Sequence, residues 1–321
     1  MNRAVYMDHL GSRGLGAGEI ERSVRSVMDL EDYLSNIDAD IEEMDVKLMR
    51  GYLSHLIEVK ANSMQRLVDL ARYFYSTGQH SIYIYLVSTF SGREVLDSIS
   101  DKIISEMGTD CRTRIFEGLE KPPLGSPPES YIENTMTMVE RLLDEGVDRC
   151  HEILADNHHG IPRDSFSRFV EMYRDSDSLD DFLARLHRER VGELQRHSEQ
   201  GKAWFEQEIT PEVVDMVREN REMLSAVRKG DHLYITKIPY APAQWLSEQD
   251  PGRRRYLACH CPLAREAILS EEVDIPMDWC YCSGGFAKRL FDVLFNEFTE
   301  VEVLESVLAG DDRCRFRIRL P

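Results

Sequence analysis

The chain has 321 residues, 42% of them hydrophobic, and carries 58 acidic against 39 basic side chains for a net charge of −19. That length and apolar content suffice for a large buried core and suit two domains. The negative field repels phosphate backbones and anionic lipid surfaces, so no nucleic acid is expected as main partner, and no membrane, since no run approaches the roughly 18 apolar residues of a spanning helix.

The first residues, 1–14, lack the apolar segment of a secretory signal, which points to the cytoplasm. Gly14, Gly16 and Gly18 follow no strand and lack a Gly-Lys-Ser/Thr ending, so a flexible leader is expected there rather than a phosphate loop. Over residues 39–76, Ile41, Met44, Leu48, Tyr52, Leu56, Met64, Leu67, Ala71 and Phe74 recur at three- and four-residue steps and predict packed helix. SIYIYLVSTF, residues 81–90, is too short for periodicity to separate a buried strand from a buried helix. The prolines of KPPLGSPPES interrupt the helical pattern, which resumes over residues 129–155. His158 and His159 form no metalloprotease spacing and read as a loop between helices. SLDDFLARLHRERVGELQRH reads as a charged amphipathic helix.

The character then changes, and a boundary is expected between a mainly helical domain, residues 1–205, and a cysteine-rich α/β domain, residues 206–321. Thr210, Pro211 and Gly230 mark the start and stop of one helix. DHLYITKIP alternates as a strand, RYLAC reads as a short apolar strand, and VEVLESVLAGDDRCRFRIRLP reads as two strands around an Ala-Gly-Asp-Asp turn. Helices are expected to begin near Pro262 and Ser283. The fold class is therefore α+β, with an antiparallel sheet in the C-terminal part.

Four of the seven cysteines form two Cys-x-Cys pairs, Cys259 with Cys261 and Cys280 with Cys282. On a strand, residues i and i+2 share a face, so each pair can converge on one tetrahedral zinc ion. An iron–sulfur cluster is the alternative, since thiolates bind both. A different chemistry arises if Cys282 caps the helix that follows. Free N–H groups, with Lys288 and Arg289, would then favour a nucleophilic thiolate, making Cys282 a candidate catalytic residue. Buried cysteines that only fill a core are the third reading. Cys111 and Cys150 fall in helical segments and read as packing. Ser283, Gly284 and Gly285 at a helix start, with Arg254 in the basic run Arg253–Arg255, suggest a site for a small-molecule anion or carboxylate.

The segments YITKIPYAP, CHCPLAREAIL, WCYCSGGFAKRLFDVLF and VEVLESVLAGDDRCRFRIRLP together resemble an uncharacterised bacterial family, a domain of unknown function that joins a helical N-terminal part to this cysteine-rich part. More remotely, the run from Cys282 onward resembles 4-vinyl reductase domains and proteins similar to L-2-amino-thiazoline-4-carboxylic acid hydrolases. That likeness implies a compact α/β domain that binds small molecules, sometimes with a metal, and places Gly310, Asp311 and Cys314 on a Gly-Asp-x-x-Cys turn. Two full Cys-x-Cys pairs depart from that pattern, so no activity is carried over. The expectation is a zinc-binding protein that binds or senses a small molecule. The alternative is a cysteine- or metal-dependent hydrolase acting on a C–N bond of a small heterocycle or amide. Nothing in the sequence fixes the oligomeric state or a general base.

Overall fold

The computed structural model describes residues 3–90, 92–205 and 207–321. Residues 1 and 2, in the stretch read for a secretory signal, and Glu206, the first residue of the expected second domain, lie outside the described residues. The protein is α+β, and among the described residues no helix is long and apolar enough to cross a membrane. It forms two compact units, Met1–Ser91 with Lys121–Ser130, and Gly92–Glu120 with Tyr131–Pro321. The division therefore does not fall at 205/206, because helices of residues 93–199 share cores with the C-terminal elements.

In the first unit the helices Arg3–Ser12, Ala17–Ser35, Val46–Glu58, Met64–Ser76 and His80–Ser88 bury Val27, Leu30, Leu67, Leu70 and Phe74. The glycine-rich stretch is thus not a leader: Gly16 caps the second of these helices. SIYIYLVSTF proves helical, its Ile82, Tyr85 and Leu86 buried. Asp69 is fully buried and is satisfied by Gln65, Ser26 and Arg72, while its carbonyl accepts from Tyr6 Oη at 3.2 Å.

The second unit holds a four-stranded antiparallel sheet of β1 (Val227–Lys229), β2 (His232–Thr236), β3 (Val301–Glu305) and β4 (Arg315–Arg319), in the order β1-β2-β4-β3. Alternation works as expected in β2 and β4: Leu233, Ile235 and Ile318 pack against the helices Leu179–Glu199 and Tyr281–Phe295, and Phe316 is buried with Cys280 and Val303. Thr210 caps Pro211–Glu219 by accepting the Val213 N–H, but that helix stops well before Gly230. Gly230 instead sits at φ +62° between β1 and β2, where a left-handed backbone reverses the chain.

RYLAC is a second correction. Asp250 accepts the Arg253 N–H and Pro251 occupies the first turn, so Pro251–Ala258 is a helix that carries Arg253–Arg255 and stops at Cys259. The stretch after Pro262 forms a 3-10 turn at Arg265–Leu269. The final helix begins at Tyr281, continuous with a 3-10 turn at Met277–Cys280.

Glu222 ties this sheet to the segment before it, accepting two hydrogen bonds from Arg315 at 2.7 and 2.9 Å and one from Thr236 Oγ1 at 2.8 Å. Burial pushes its pKa up, but the Arg315 and Thr236 hydrogen bonds and the Arg315 charge outweigh that and hold it below the usual 4.5. A carboxyl depressed in the folded state stabilises the fold above its unfolded pKa and loses that contribution as pH falls through the folded value. Glu222→Gln is therefore expected to cost about 1–3 kcal/mol near neutral pH, a difference that shrinks below about pH 4. Urea denaturation of both proteins at the two pH values checks this.

Candidate metal centre

Helix Pro251–Ala258 ends by turning the backbone at Cys259 into an extended conformation, φ −75° and ψ 122°. The chain then makes a tight corner in which the Cys261 carbonyl accepts the N–H of Arg265 at 2.9 Å. Nearby backbone N–H groups, that of Cys261 for Cys259 and those of Leu263 and Ala264 for Cys261, offset part of the rise that burial imposes on the pKa of these two thiols. The Trp279 indole adds a further N–H to Cys261 Sγ at 3.1 Å. His260 turns to the Ile238 carbonyl at 2.7 Å.

Cys280 ends the 3-10 turn Met277–Cys280 and Cys282 lies in the first turn of the final helix. Cys280 Sγ lies 3.0 Å from Ser306 Oγ, and Cys282 Sγ lies 3.9 Å from His159 Nε2. A fifth thiol, Cys314, comes from the turn before β4, where its carbonyl accepts the Lys237 N–H at 2.9 Å. The five thiols are close enough to raise one another's pKa. Burial is the largest cause throughout, followed by Cys261 and Cys314 at Cys259, by Cys314 at Cys280, and by Cys261 at Cys282. Among the described residues, no group of three or more His, Cys, Asp or Glu side chains is arranged so as to hold a metal ion as it stands.

Two cations face the cluster. Burial raises the pKa of Cys261, Cys282 and Cys314, and the Lys237 charge opposes part of that rise. Arg265 opposes the rise at Cys259; its guanidinium is buried between Tyr240 and Tyr256, 4.5 and 5.0 Å from their rings, and its Nε lies 3.9 Å from the Glu266 carboxylate, beyond hydrogen-bond reach. His159 keeps an exposed edge, yet its pKa is lowered, first by its crowded surroundings and then by Lys237 and His158, so it is held neutral.

Residues 240–321 match the family of unknown function DUF6144. No curated protein and no solved structure is matched by the chain. The DUF6144 region contributes all five thiols, whereas His159 and Lys237 lie outside it. The likeness to 4-vinyl reductase domains and thiazoline-carboxylate hydrolases rests on sequence motifs alone.

The remaining expected site residues are placed differently from the sequence picture. Because the 3-10 turn Met277–Cys280 runs directly into the final helix, the Tyr281 N–H already bonds back to Asp278 and Trp279. Ser283, Gly284 and Gly285 are therefore interior to a continuous helical path and offer no open helix start. A Cβ on Gly285 would lie 2.4 Å from the Asp156 carbonyl oxygen, and one on Gly284 3.2 Å from Val301 Cγ1, so both glycines serve close packing. Cys282 is one residue inside the helix instead of capping it, and burial raises its pKa where a nucleophilic thiolate needs it lowered. Lys288 is paired with Asp292 at 2.7 Å and Arg289 donates to the Ile161 carbonyl, so neither charge serves the thiol. Arg253 is exposed and bound to Glu248, while Arg254 stacks 4.2 Å over the Trp245 ring. Cys111 and Cys150 are buried in a core with Ile99, Val139 and Leu142. Sequence reasoning passed over His159, whose signal was the adjacent His158-His159-Gly160 loop, and left Cys314 out of the ligand set.

Proposed function

We propose that the five-thiol cluster is a soft-metal centre, zinc first and an iron–sulfur cluster second, within a protein that binds or senses a small molecule in a reducing, cytoplasmic compartment. The observation that supports this most is the surround: thiols from three chain segments lie close enough to influence one another, Cys261 takes the Trp279 indole N–H at 3.1 Å, and Lys237 and the buried Arg265 offset part of the rise that burial imposes on them. A core of inert thiols has no use for that positive surround, whereas bound thiolates need it. Cys259, Cys261, Cys280 and Cys282 would hold the ion after side-chain rotation, with Cys314 and His159 as the groups able to replace one of them. Such an ion locks the corner, the helix and the turn before β4 together.

Purified under reductant and supplied with zinc, the protein is expected to retain about one ion per chain. Single Ser variants of Cys261 and Cys280 should weaken zinc binding roughly tenfold or more, and Cys111→Ser should leave it unchanged. Because ligation displaces the protons of thiols whose pKa is raised, affinity should fall as pH falls. Cobalt substitution gives a thiolate charge-transfer band that counts the sulfurs, and a brown protein would identify a cluster. A protein that takes up no metal under these conditions overturns the reading.

A further inference from the structure

Beside the thiols lies a cleft of about 610 Å³ whose lining includes Lys237, Trp245, Arg254, Met216, Met223 and Cys314. We infer that this cleft binds a small organic acid, with its carboxylate on Lys237 and Arg254 and its apolar body against Trp245, Met216 and Met223. The charged lining balances in sign, since Glu305 pairs with Arg313 while Asp311 and Asp312 stand against Lys237 and Arg254, so an acid is favoured only by two cations that hold no carboxylate of their own among the described residues. Glu305 is held by Arg313 at 2.7 and 2.9 Å and also faces Arg315. Asp311 accepts the Ser306 N–H at 2.8 Å. Asp312 is exposed at the rim.

Lys237 and Arg254 are different. Among the described residues neither pairs with a carboxylate: Lys237 Nζ reaches only Ser283 Oγ at 3.5 Å and lies 5.3 Å from the Phe286 ring, while Arg254 donates to the Glu248 carbonyl and covers Trp245. Two uncompensated cations against a thioether and indole wall suit an anion attached to a flat or flexible apolar group, and a partly desolvated carboxylate binds such cations far better than an amide of the same shape.

The inference adds a ligand to the proposed centre, and Lys237 and Cys314 belong to both. The two are separated by testing ligand binding with and without metal. Acetate, phenylacetate and indole-3-acetate, together with the carboxamides of the latter two, are titrated into the full-length reduced protein, once with EDTA and once zinc-loaded, by calorimetry and tryptophan fluorescence. Phenylacetate or indole-3-acetate should saturate and bind at least tenfold more tightly than its amide. Lys237→Met should remove that preference while leaving the melting temperature within a few degrees. The bound acid should slow iodoacetamide modification of Cys314, mapped by mass spectrometry. Binding that is equal for acid and amide, untouched by Lys237→Met, or as tight for inorganic phosphate overturns the inference, as does failure of every acid to saturate. Acid binding by a protein that takes up no metal would sink the metal centre alone, and metal uptake without acid binding would sink the cleft alone.

Discussion

Gly285→Val is expected to abolish folding of the second unit. The final helix, Tyr281–Phe295, crosses the end of Val147–Leu154 so closely that a Cβ at position 285 would sit 2.4 Å from the Asp156 carbonyl oxygen and 2.7 Å from the Ala155 carbonyl carbon. Both are backbone atoms, which cannot swing aside as a side-chain tip does. Relief requires the helix to move away, opening the core that Cys282 and Trp279 share with Ile153 and Leu154. A loss of about 4 kcal/mol or more follows, and even Gly285→Ala should be severely destabilised. Gly284→Ala is the control: its new methyl would meet Val301 Cγ atoms at 3.2 and 3.3 Å, which can adjust, so a cost of about 1–3 kcal/mol is expected. Circular dichroism and urea titration of the three variants decide it. A cooperative Gly285→Val protein within about 1 kcal/mol of wild type would refute the close crossing.

The second large effect is expected at the other end of the same helix. Lys288 is fully buried, its Nζ 2.7 Å from Asp292 Oδ2 and 3.3 Å from the Phe298 ring centroid. Asp292 Oδ1 in turn accepts both the N–H and the hydroxyl of Thr299 at 2.8 Å. Asp292→Ala strands the ammonium in the core and frees both Thr299 donors, so it should cost about 3–5 kcal/mol. Adding Lys288→Met should recover part of that loss, because the stranded charge goes with it. The pH dependence has a definite sign. Burial lowers the Lys288 pKa against the opposing pull of Asp292, so the folded state binds its proton less readily than the unfolded chain. Its contribution is complete above the ordinary lysine pKa and is lost as pH falls through the folded value, so the wild type should gain stability relative to Lys288→Met on the alkaline side.

How far the sequence carried can be seen residue by residue. Alternation in β2 and β4 was legible because each strand has one face turned to the core, whereas in β3 a bulge between Val303 and Glu305 breaks the pattern. RYLAC was misread because its four apolar-leaning residues, Tyr256 to Cys259, fit either state; Asp250 and Pro251, the cap and first-turn proline just upstream, were the better guide. The paired cysteines were visible as spacing, whereas the approach of His159 to Cys282 spans 123 residues and leaves no local trace. The two glycines looked like a helix start because nothing in MDWC announces the 3-10 turn that extends the helix backward. The unit division was hidden for a similar reason: helices of residues 93–154 use ordinary amphipathic stripes, and only packing reveals that Leu263, Ala264 and Trp279 are what those stripes cover.

The sheet order bears on how the protein reaches its native state. β4 lies between β2 and β3 although it follows both in the chain, so the central pairing must wait for the most distant contacts to form. Topologies governed by such non-local pairing fold slowly. Throughout that interval Cys259, Cys261, Cys280 and Cys282 have been laid down without the turn before β4 that carries Cys314 to them. Unshielded thiols in a collapsed intermediate are open to disulfide exchange and oxidation. Recovery from denaturant should accordingly depend on the reductant present during refolding far more than the finished protein depends on it.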